Sequence, residues 1–344
     1  IGGGTIGLFA LARIYSFLVD GPPQNRHAEV MWAAEALGAF GAFALWWLEE
    51  GHATAWGRGL VALAMQEPLT SPGEFAGNLA GIYSVYLFGW GDAVGDIRTV
   101  NGVLRLVGIN LARYTLAYVG TFYAFYRLKW LAHAKFHQDA KGVAQYEDPE
   151  LLRKELIRWG CSIAIGTTYD VFLRHALATG MLPELQTNPL QDMRVVWLTV
   201  ALVLFVDLHF YSMHRMLHTP YLYKKIHSSH HQSRNPNPFS GLSFHPIESA
   251  LYFSSLPIGL FLAACLCCPL NRFHYCVLKG LLDFNPIWGH ASVGGWFGGN
   301  YHHYIHHTRG FRLHVNFGGT WLFDGLLGTG HVESRPEEAT EKAK

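Results

Sequence analysis

Eighteen residues from His214 to His231, HRMLHTPYLYKKIHSSHH, contain five histidines, spaced four, nine, three and one apart. They form two boxes, His214-x-x-x-His218 and His227-x-x-His230-His231. A third, His303-x-x-His306-His307, lies in NYHHYIHH with His302 beside it. Residues three or four apart share a helix face, so each box can aim two or three imidazoles at one point. Neutral imidazole suits iron, zinc, copper and nickel. One metal takes roughly four to six ligands, so eight box histidines argue for two metals rather than one. His245, in FHPIE, and His290, in WGHAS, are candidates to complete the set. Isolated histidines are ordinarily hydrogen-bonded structural groups, and His27, His52, His133, His137, His175, His209, His274, His314 and His331 are read that way.

The residue types narrow the chemistry. A structural zinc site closes with four ligands and has no use for eight or more histidines. A ferritin-like diiron bundle needs two Glu-x-x-His pairs; the chain has this spacing only at Glu49 and His52, far from the boxes. There is no HExxH, so a zinc protease is set aside. An all-imidazole dimetal site beside apolar segments suits O2 activation on a lipid chain or ring, the metals doing the hard chemistry and the protein shielding it.

The elements that must position these boxes are apolar. Half of the 344 residues are hydrophobic and only 15% are charged. Apolar runs recur at 4–20, 31–47, 78–95, 102–126, 155–178, 194–213, 249–268 and 272–289. Roughly twenty apolar residues cross a bilayer core as a helix. The expected fold is therefore all-α, a polytopic integral membrane protein, rather than a large soluble helical domain. A net charge of +1 gives no basic footprint for nucleic acid. All five cysteines sit in apolar runs, none in a paired metal motif, and they are read as reduced.

Topology gathers the histidines. Run 194–213 delivers the chain to His214, and two further runs, 249–268 and 272–289, return it to the same side at His290. Helices 155–178 and 194–213 form another out-and-back pair, which puts loop 127–154 on the histidine side. That loop carries Arg127, Lys129, Lys135, Lys141, Arg153 and Lys154, whereas 179–193 has no Lys or Arg. Positive residues mark the cytosol-like face, so the dimetal site is expected there. The expected organisation is a membrane-associated helical extension over 1–100, a catalytic domain over 101–332 and a charged tail over 333–344. The first residue is Ile1, not Met, which leaves room for a processed or truncated chain.

The boxes and their surroundings resemble the fatty acid hydroxylase / sterol desaturase superfamily of membrane non-haem diiron enzymes. DLHFYSMHRMLH is similar to that family's helix ending in HRxxH. LYKKIHSSHHQSRNPNPFSGLSFHPIE is similar to its second-box stretch. HHYIHHTRGFRLHVNFG and FDGLLGT are similar to the third box and its sequel, with Phe317 in place of the usual Tyr, Phe323 in place of Trp and Gly325 in place of Arg. Within the superfamily, PELLRKELIRWGCSIAIGTTYDVFLRHALATG resembles the sterol C-5 desaturase (lathosterol oxidase) branch, and the likeness runs over roughly 115–330.

The resemblance implies two irons held by His214, His218, His227, His230, His231, His303, His306 and His307, with His245 and His290 as further ligands. It implies O2 as oxidant, desaturation or hydroxylation of a lipid or sterol, and electrons from NAD(P)H through a reductase and a small b-type cytochrome. It places the enzyme among membrane lipids of the endoplasmic reticulum, with the mitochondrial inner membrane as the alternative. Asp207 and Tyr211 precede His214 by seven and three residues on its helical face, so they are candidate partners of the ligands' other N–H groups. His302 and Asn316 are candidates for the same role. Two other classes compete. One is a structural subunit of a larger membrane complex that keeps the fold. The other is a metal transporter, which needs polar residues lining a path through several helices rather than histidines gathered at one face.

Overall fold

The structure, a computed structural model, describes residues 72–89, 94–124, 148–183, 193–266, 268, 270–291, 301–310 and 314–331. The chain divides into Ile1–Gln66 and Glu67–Lys344, and every described residue belongs to the second unit. Runs 4–20 and 31–47, His27, His52, His133, His137, loop residues 127–147 and the tail 333–344 lie outside the described residues. The sequence reading put a boundary at residue 100. Helix 72–89 instead packs within the second unit.

Regular structure among the described residues is helical throughout. The long helices are α1 (Pro72–Gly89), α2 (Val100–Phe122), α3 (Pro149–Ala178) and α4 (Met193–Leu217). The short α5 (Pro220–Lys225) leads into 3₁₀ segments His227–Gln232 and Pro238–Leu242. Then come α6 (Pro246–Cys265), α7 (Arg272–Gly289), α8 (Tyr301–Ile305), which runs on as a π-type turn over His306–Gly310, and α9 (Trp321–Leu327). Local chemistry sets the helix starts. Thr99 accepts from the Gly102 N–H at α2, Asp148 from Glu150 and Leu151 at α3, and Asn271 from Phe273 at α7. Each satisfies a donor that the first turn leaves orphaned.

Pro286 sits inside α7 and cannot donate to the Leu282 carbonyl one turn earlier. Tyr252 of α6 supplies that donor through its hydroxyl at 3.0 Å. The next carbonyl, Asp283 O, takes the Tyr118 hydroxyl at 2.8 Å. The proline break is thus held by two tyrosines from neighbouring helices, and it aims the last turn of α7 at the histidines.

Three helices run past one another with the sense the sequence predicts. His274, at the start of α7, bonds the Val195 carbonyl at the start of α4 at 2.9 Å. The far ends of both helices meet at the histidines. α6 starts at the histidine end, where Glu248 bonds His227, and leads away from it.

A buried polar network ties α2, α3 and α7 together. Asp283 receives Lys279, Tyr114 and, at 3.2 Å, Arg113. Asp170 receives Arg174 at 2.6 Å, Asn110 at 2.7 Å and the Tyr275 hydroxyl. Buried charges persist only when paired and hydrogen-bonded, and each of these carboxylates has three donors.

Two helices among the described residues are long and apolar enough to cross a membrane, Arg194–Leu217 and Pro246–Cys265. The first buries little of its apolar surface, leaving Trp197, Val200, Leu204 and Leu208 exposed. α1 and α2 expose further large apolar side chains, among them Phe75, Leu79, Leu111 and Leu116.

Candidate metal centre

The boxes close onto two adjacent nests of imidazoles. His214, His218, His227, His231 and His306 form one, and His230, His290, His303 and His307 form the other; within each, the ligating nitrogens lie within 4.8 Å of one another. All nine side chains are buried. His214 and His218 stand one turn apart at the end of α4 and enter the same nest. The other two boxes do not each aim at one point. His227 and His231 share a nest while His230, between them, turns to the other. His303 and His307, one turn apart, take the four-histidine nest while His306 crosses to the five. Boxes two and three therefore bridge the nests.

What the outer nitrogens do fixes what the inner ones offer. His214 Nδ1 donates to the Phe317 carbonyl, His306 Nδ1 to the Val315 carbonyl and His227 Nδ1 to the Glu248 carboxylate, each at 2.7 Å. In the second nest His290 Nδ1 donates to Pro286 O at 2.9 Å and His307 Nδ1 to Ser233 O at 3.2 Å. A neutral imidazole carries one N–H, so Nε2 of these five rings bears a lone pair. Yet Nε2 of His214 and His227 face each other at 3.0 Å, and Nε2 of His290 and His307 at 2.9 Å. Facing lone pairs repel unless a Lewis acid lies between them. His218 has no hydrogen-bond partner on either ring nitrogen. Buried polar atoms are ordinarily satisfied, and a cation in each nest satisfies these. The donor set fits two imidazole-bound transition metals.

Electrostatics disfavours protonation at seven of these rings. Burial, reinforced by neighbouring imidazoles, holds His218, His230, His231, His303 and His307 below the ordinary histidine range. Burial lowers His290 to about 4 and His306 to about 3. Desolvation disfavours the imidazolium, so these lone pairs are available at neutral pH.

The remaining sequence-proposed residues occupy other positions. His245 is not in either nest. It is the N-cap of α6, its Nδ1 accepting from the Ile247 N–H at 3.2 Å, because Pro246 at the first helical position leaves its ring beside its own helix start. Asp207 accepts from the Thr320 N–H at 3.2 Å and its hydroxyl at 2.5 Å. Tyr211 meets Thr329 at 3.0 Å and Arg215 at 2.8 Å. Neither meets a histidine; both fasten the 314–331 segment or its neighbours to α4. His302 turns out of the nests to Asp324 at 3.1 Å. Asn316 donates to the His302 and His331 carbonyls, each at 3.0 Å, from a left-handed backbone conformation (φ 60°) that asparagine tolerates.

Three carboxylates escaped the sequence reading. Glu248, one turn beyond His245 in the same HPIE stretch, is the one that meets a clustered histidine, His227. Asp324 is fully buried and gathers His302 and the Phe317 and Gly318 N–H groups. Glu155 of α3 takes the Ser233 hydroxyl and, at 2.7 Å, Asn237. It thereby fixes the carbonyl that holds His307. Phe317, where the family pattern has Tyr, packs its ring against His214, His218 and His306 with centroids 6.0, 5.2 and 5.7 Å apart.

A cavity of about 400 Å³ reaches both nests, touching His214 and His227 of one and His230, His290 and His303 of the other. Its other walls are largely apolar: Ile82 of α1, Val203 and Phe210 of α4, Phe244, Tyr252 of α6 and Leu282 of α7. Phe75, Leu79 and Leu204, which also line it, are exposed on the outer surface of α1 and α4. The cavity thus communicates with the apolar belt of the protein.

Residues 199–329 match the family model described as fatty acid hydroxylase. The matched stretch contains all nine clustered histidines, while α1, α2 and α3 lie outside it. Curated relatives named Delta(7)-sterol 5(6)-desaturase are similar over part of the chain. That of Candida dubliniensis is 30% identical over 153 residues, 42% of this chain and 36% of the relative. That of Eremothecium gossypii is 31% identical over 150 residues, 42% and 40% respectively. That of Aspergillus fumigatus is 28% identical over 160 residues, 39% and 49%. The chain thus matches between about a third and a half of the length of these relatives. No solved structure matches it.

Proposed function

We propose that the chain is a membrane-embedded non-haem diiron oxidoreductase that uses O2 to introduce a double bond into a sterol, in the manner named for its Delta(7)-sterol 5(6)-desaturase relatives. The observation that carries this reading is the opening of two imidazole nests into one apolar cavity. Bound irons supply O2 activation and the power to remove hydrogen from an unactivated C–H bond. The overall balance takes two hydrogens from adjacent carbons, with two electrons and two protons from a donor, and reduces O2 to two waters.

The chain's own residues do the rest. Backbone carbonyls and Glu248 orient the imidazoles and keep their lone pairs inward. Phe210, Phe244 and Tyr252 exclude water around the reacting carbons. Exposed apolar α4, with α6 behind it, places the cavity at bilayer depth, and its mouth between α1 and α4 admits a lipid laterally. Exposed Lys224, Lys225 and Arg234 flank the second box and offer a positive surface to an acidic electron carrier, a b-type cytochrome fed from NAD(P)H. The endoplasmic reticulum membrane is the setting that fits a sterol substrate.

The test is elemental analysis of the purified chain, followed by turnover with a Δ7-sterol, O2 and a reduced b-type cytochrome. The expected result is two irons per chain and a sterol product lighter by two hydrogens. His230→Ala removes a ligand of the four-histidine nest and His306→Ala one of the five-histidine nest, so each variant is expected to lose iron and turnover. A well-folded parent chain that takes up no iron rejects the proposal.

A further inference from the structure

The apolar wall of the cavity is interrupted where α1 meets α7. Asn78 Nδ2 donates to Asn285 Oδ1 at 3.0 Å. Asn78 is only 9% exposed, yet its Oδ1 has no hydrogen-bond partner. Among the described residues the Asn285 side chain makes no hydrogen bond beyond this one. Elsewhere on the wall Asp207 bonds Thr320, Glu74 has a partner, and Glu248 bonds His227 through Oε1 while its Oε2 stays unpartnered beside the histidines. A buried acceptor without a donor is destabilising unless something fills its place. The pair stands beside the chemistry, because Asn285 precedes Pro286, whose carbonyl holds His290 at 2.9 Å.

The bonding capacity left over is specific. After their mutual bond Asn78 keeps an acceptor oxygen with no donor and one N–H, and Asn285 keeps both of its N–H donors. Exchanging the oxygen and nitrogen of both amides leaves the same sum. A hydroxyl donates once and accepts, so it matches this pair. A carboxylate or an ester offers acceptors only, so it could take the free N–H groups but would leave the Asn78 oxygen without a donor. In a sterol the hydroxyl-bearing carbon is separated from carbon 5 by a single ring carbon, so a hydroxyl anchored next to the His290 nest holds that carbon's hydrogen close to it.

We infer that Asn78 and Asn285 form the recognition site for the hydroxyl group of a sterol substrate. This rests on the sterol-desaturase reading and adds the residues that select the substrate. It also gives α1, outside the fatty acid hydroxylase match, a part in specificity.

The experiment is a binding comparison that needs no turnover. The purified full chain in detergent is titrated with cholest-7-en-3β-ol, with its 3-deoxy analogue cholest-7-ene and with a long-chain fatty alcohol, each displacing a fluorescent sterol. The expected result is hydroxysterol binding about tenfold tighter than the hydrocarbon, the value of roughly one net hydrogen bond. In Asn78→Leu and Asn285→Leu that ratio falls to within about twofold, while affinity for the hydrocarbon stays at the parent value and so reports an intact cavity. Equal binding of hydroxysterol and hydrocarbon by the parent overturns the assignment without recourse to any variant. A parental ratio retained in both variants overturns it as well. A parent that binds the fatty alcohol but neither sterol overturns the sterol reading of the site together with it, and so separates the two failures.

Discussion

Glu248 holds His227 by Nδ1 at 2.7 Å, and both side chains are almost wholly buried. An outer partner of this kind typically contributes 10–100-fold in metal affinity. Glu248→Gln is therefore expected to weaken iron binding at the five-histidine nest by about that factor while leaving the four-histidine nest nearly intact. Competition with a chelator of known affinity reads the two sites separately, and unchanged affinity at both would reduce Glu248 to packing. Phe317→Tyr tests the family departure. Its ring already rests on three ligands, so a hydroxyl added there is expected to leave iron stoichiometry at two and to alter affinity by less than about tenfold. Elemental analysis with the same chelator competition checks this. At this scale the clustered histidines were legible because imidazoles three and four apart can be read from local spacing. Their supports were not. Four of the five Nδ1 acceptors are backbone carbonyls, of Phe317, Val315, Pro286 and Ser233, and a carbonyl leaves no mark in a sequence. His245 was misjudged because its neighbour Pro246 decides its role: before a proline at the first helical position, it caps the helix.

Helix α1 reaches α7 through small residues. A Cβ on Gly280 would lie 2.6 Å from the Ile82 backbone, and one on Gly81 would lie 2.5 Å from the Phe284 ring. Small residues permit this close backbone approach between membrane helices, and it is what brings Asn78 to Asn285. Gly280→Ala cannot be accommodated by a rotamer change because the obstacle is backbone. It is expected to cost about 1–3 kcal/mol, measured as a lower unfolding midpoint, and to erase the preference for the hydroxysterol as α1 shifts. Gly108→Ala in α2, where an added Cβ meets nothing within 4 Å, is the control and should be neutral or slightly stabilising, since alanine favours helix over glycine. A midpoint unchanged by Gly280→Ala would mean that α1 docks loosely. The helices themselves were legible as apolar runs from 78 onward. Their pairing was not. Lys279 and Asp283 are charges inside the apolar run 272–289, and only the fold shows Arg113 and Tyr114 arriving from about 170 residues away to satisfy them.

For the whole molecule, the two nests act as fasteners between segments that otherwise meet sparsely. The clustered histidines come from the end of α4, the 3₁₀ segment His227–Gln232, the end of α7, and α8 with its π-type continuation. Without metal, inward lone pairs face each other at 2.9 to 3.0 Å, so the metal-free form loses the attraction and keeps the repulsion. A ligand that binds only the folded state stabilises it by about 2.7 kcal/mol at a hundredfold excess over its dissociation constant. For a domain of this size that corresponds to roughly 5–10 °C in midpoint per site. Stripping the purified chain with a strong chelator is therefore expected to lower its thermal midpoint by at least that much, and anaerobic Fe(II) should restore it in an increment that saturates at two metals per chain. Acid should act on the stripped chain in the same direction. His290 and His306 titrate at about 4 and 3 when folded but near 6.5 when unfolded, so the unfolded state binds more protons between those limits. Stability present above pH 6.5 is then lost as pH falls, by up to about 1.4 kcal/mol per unit for each such histidine. The gap between metal-loaded and stripped midpoints, measured from pH 7.5 to 5.5, checks this. A stripped chain equally stable at both pH values would mean that the nests are open to water without metal, and the lone pairs would not then be held face to face.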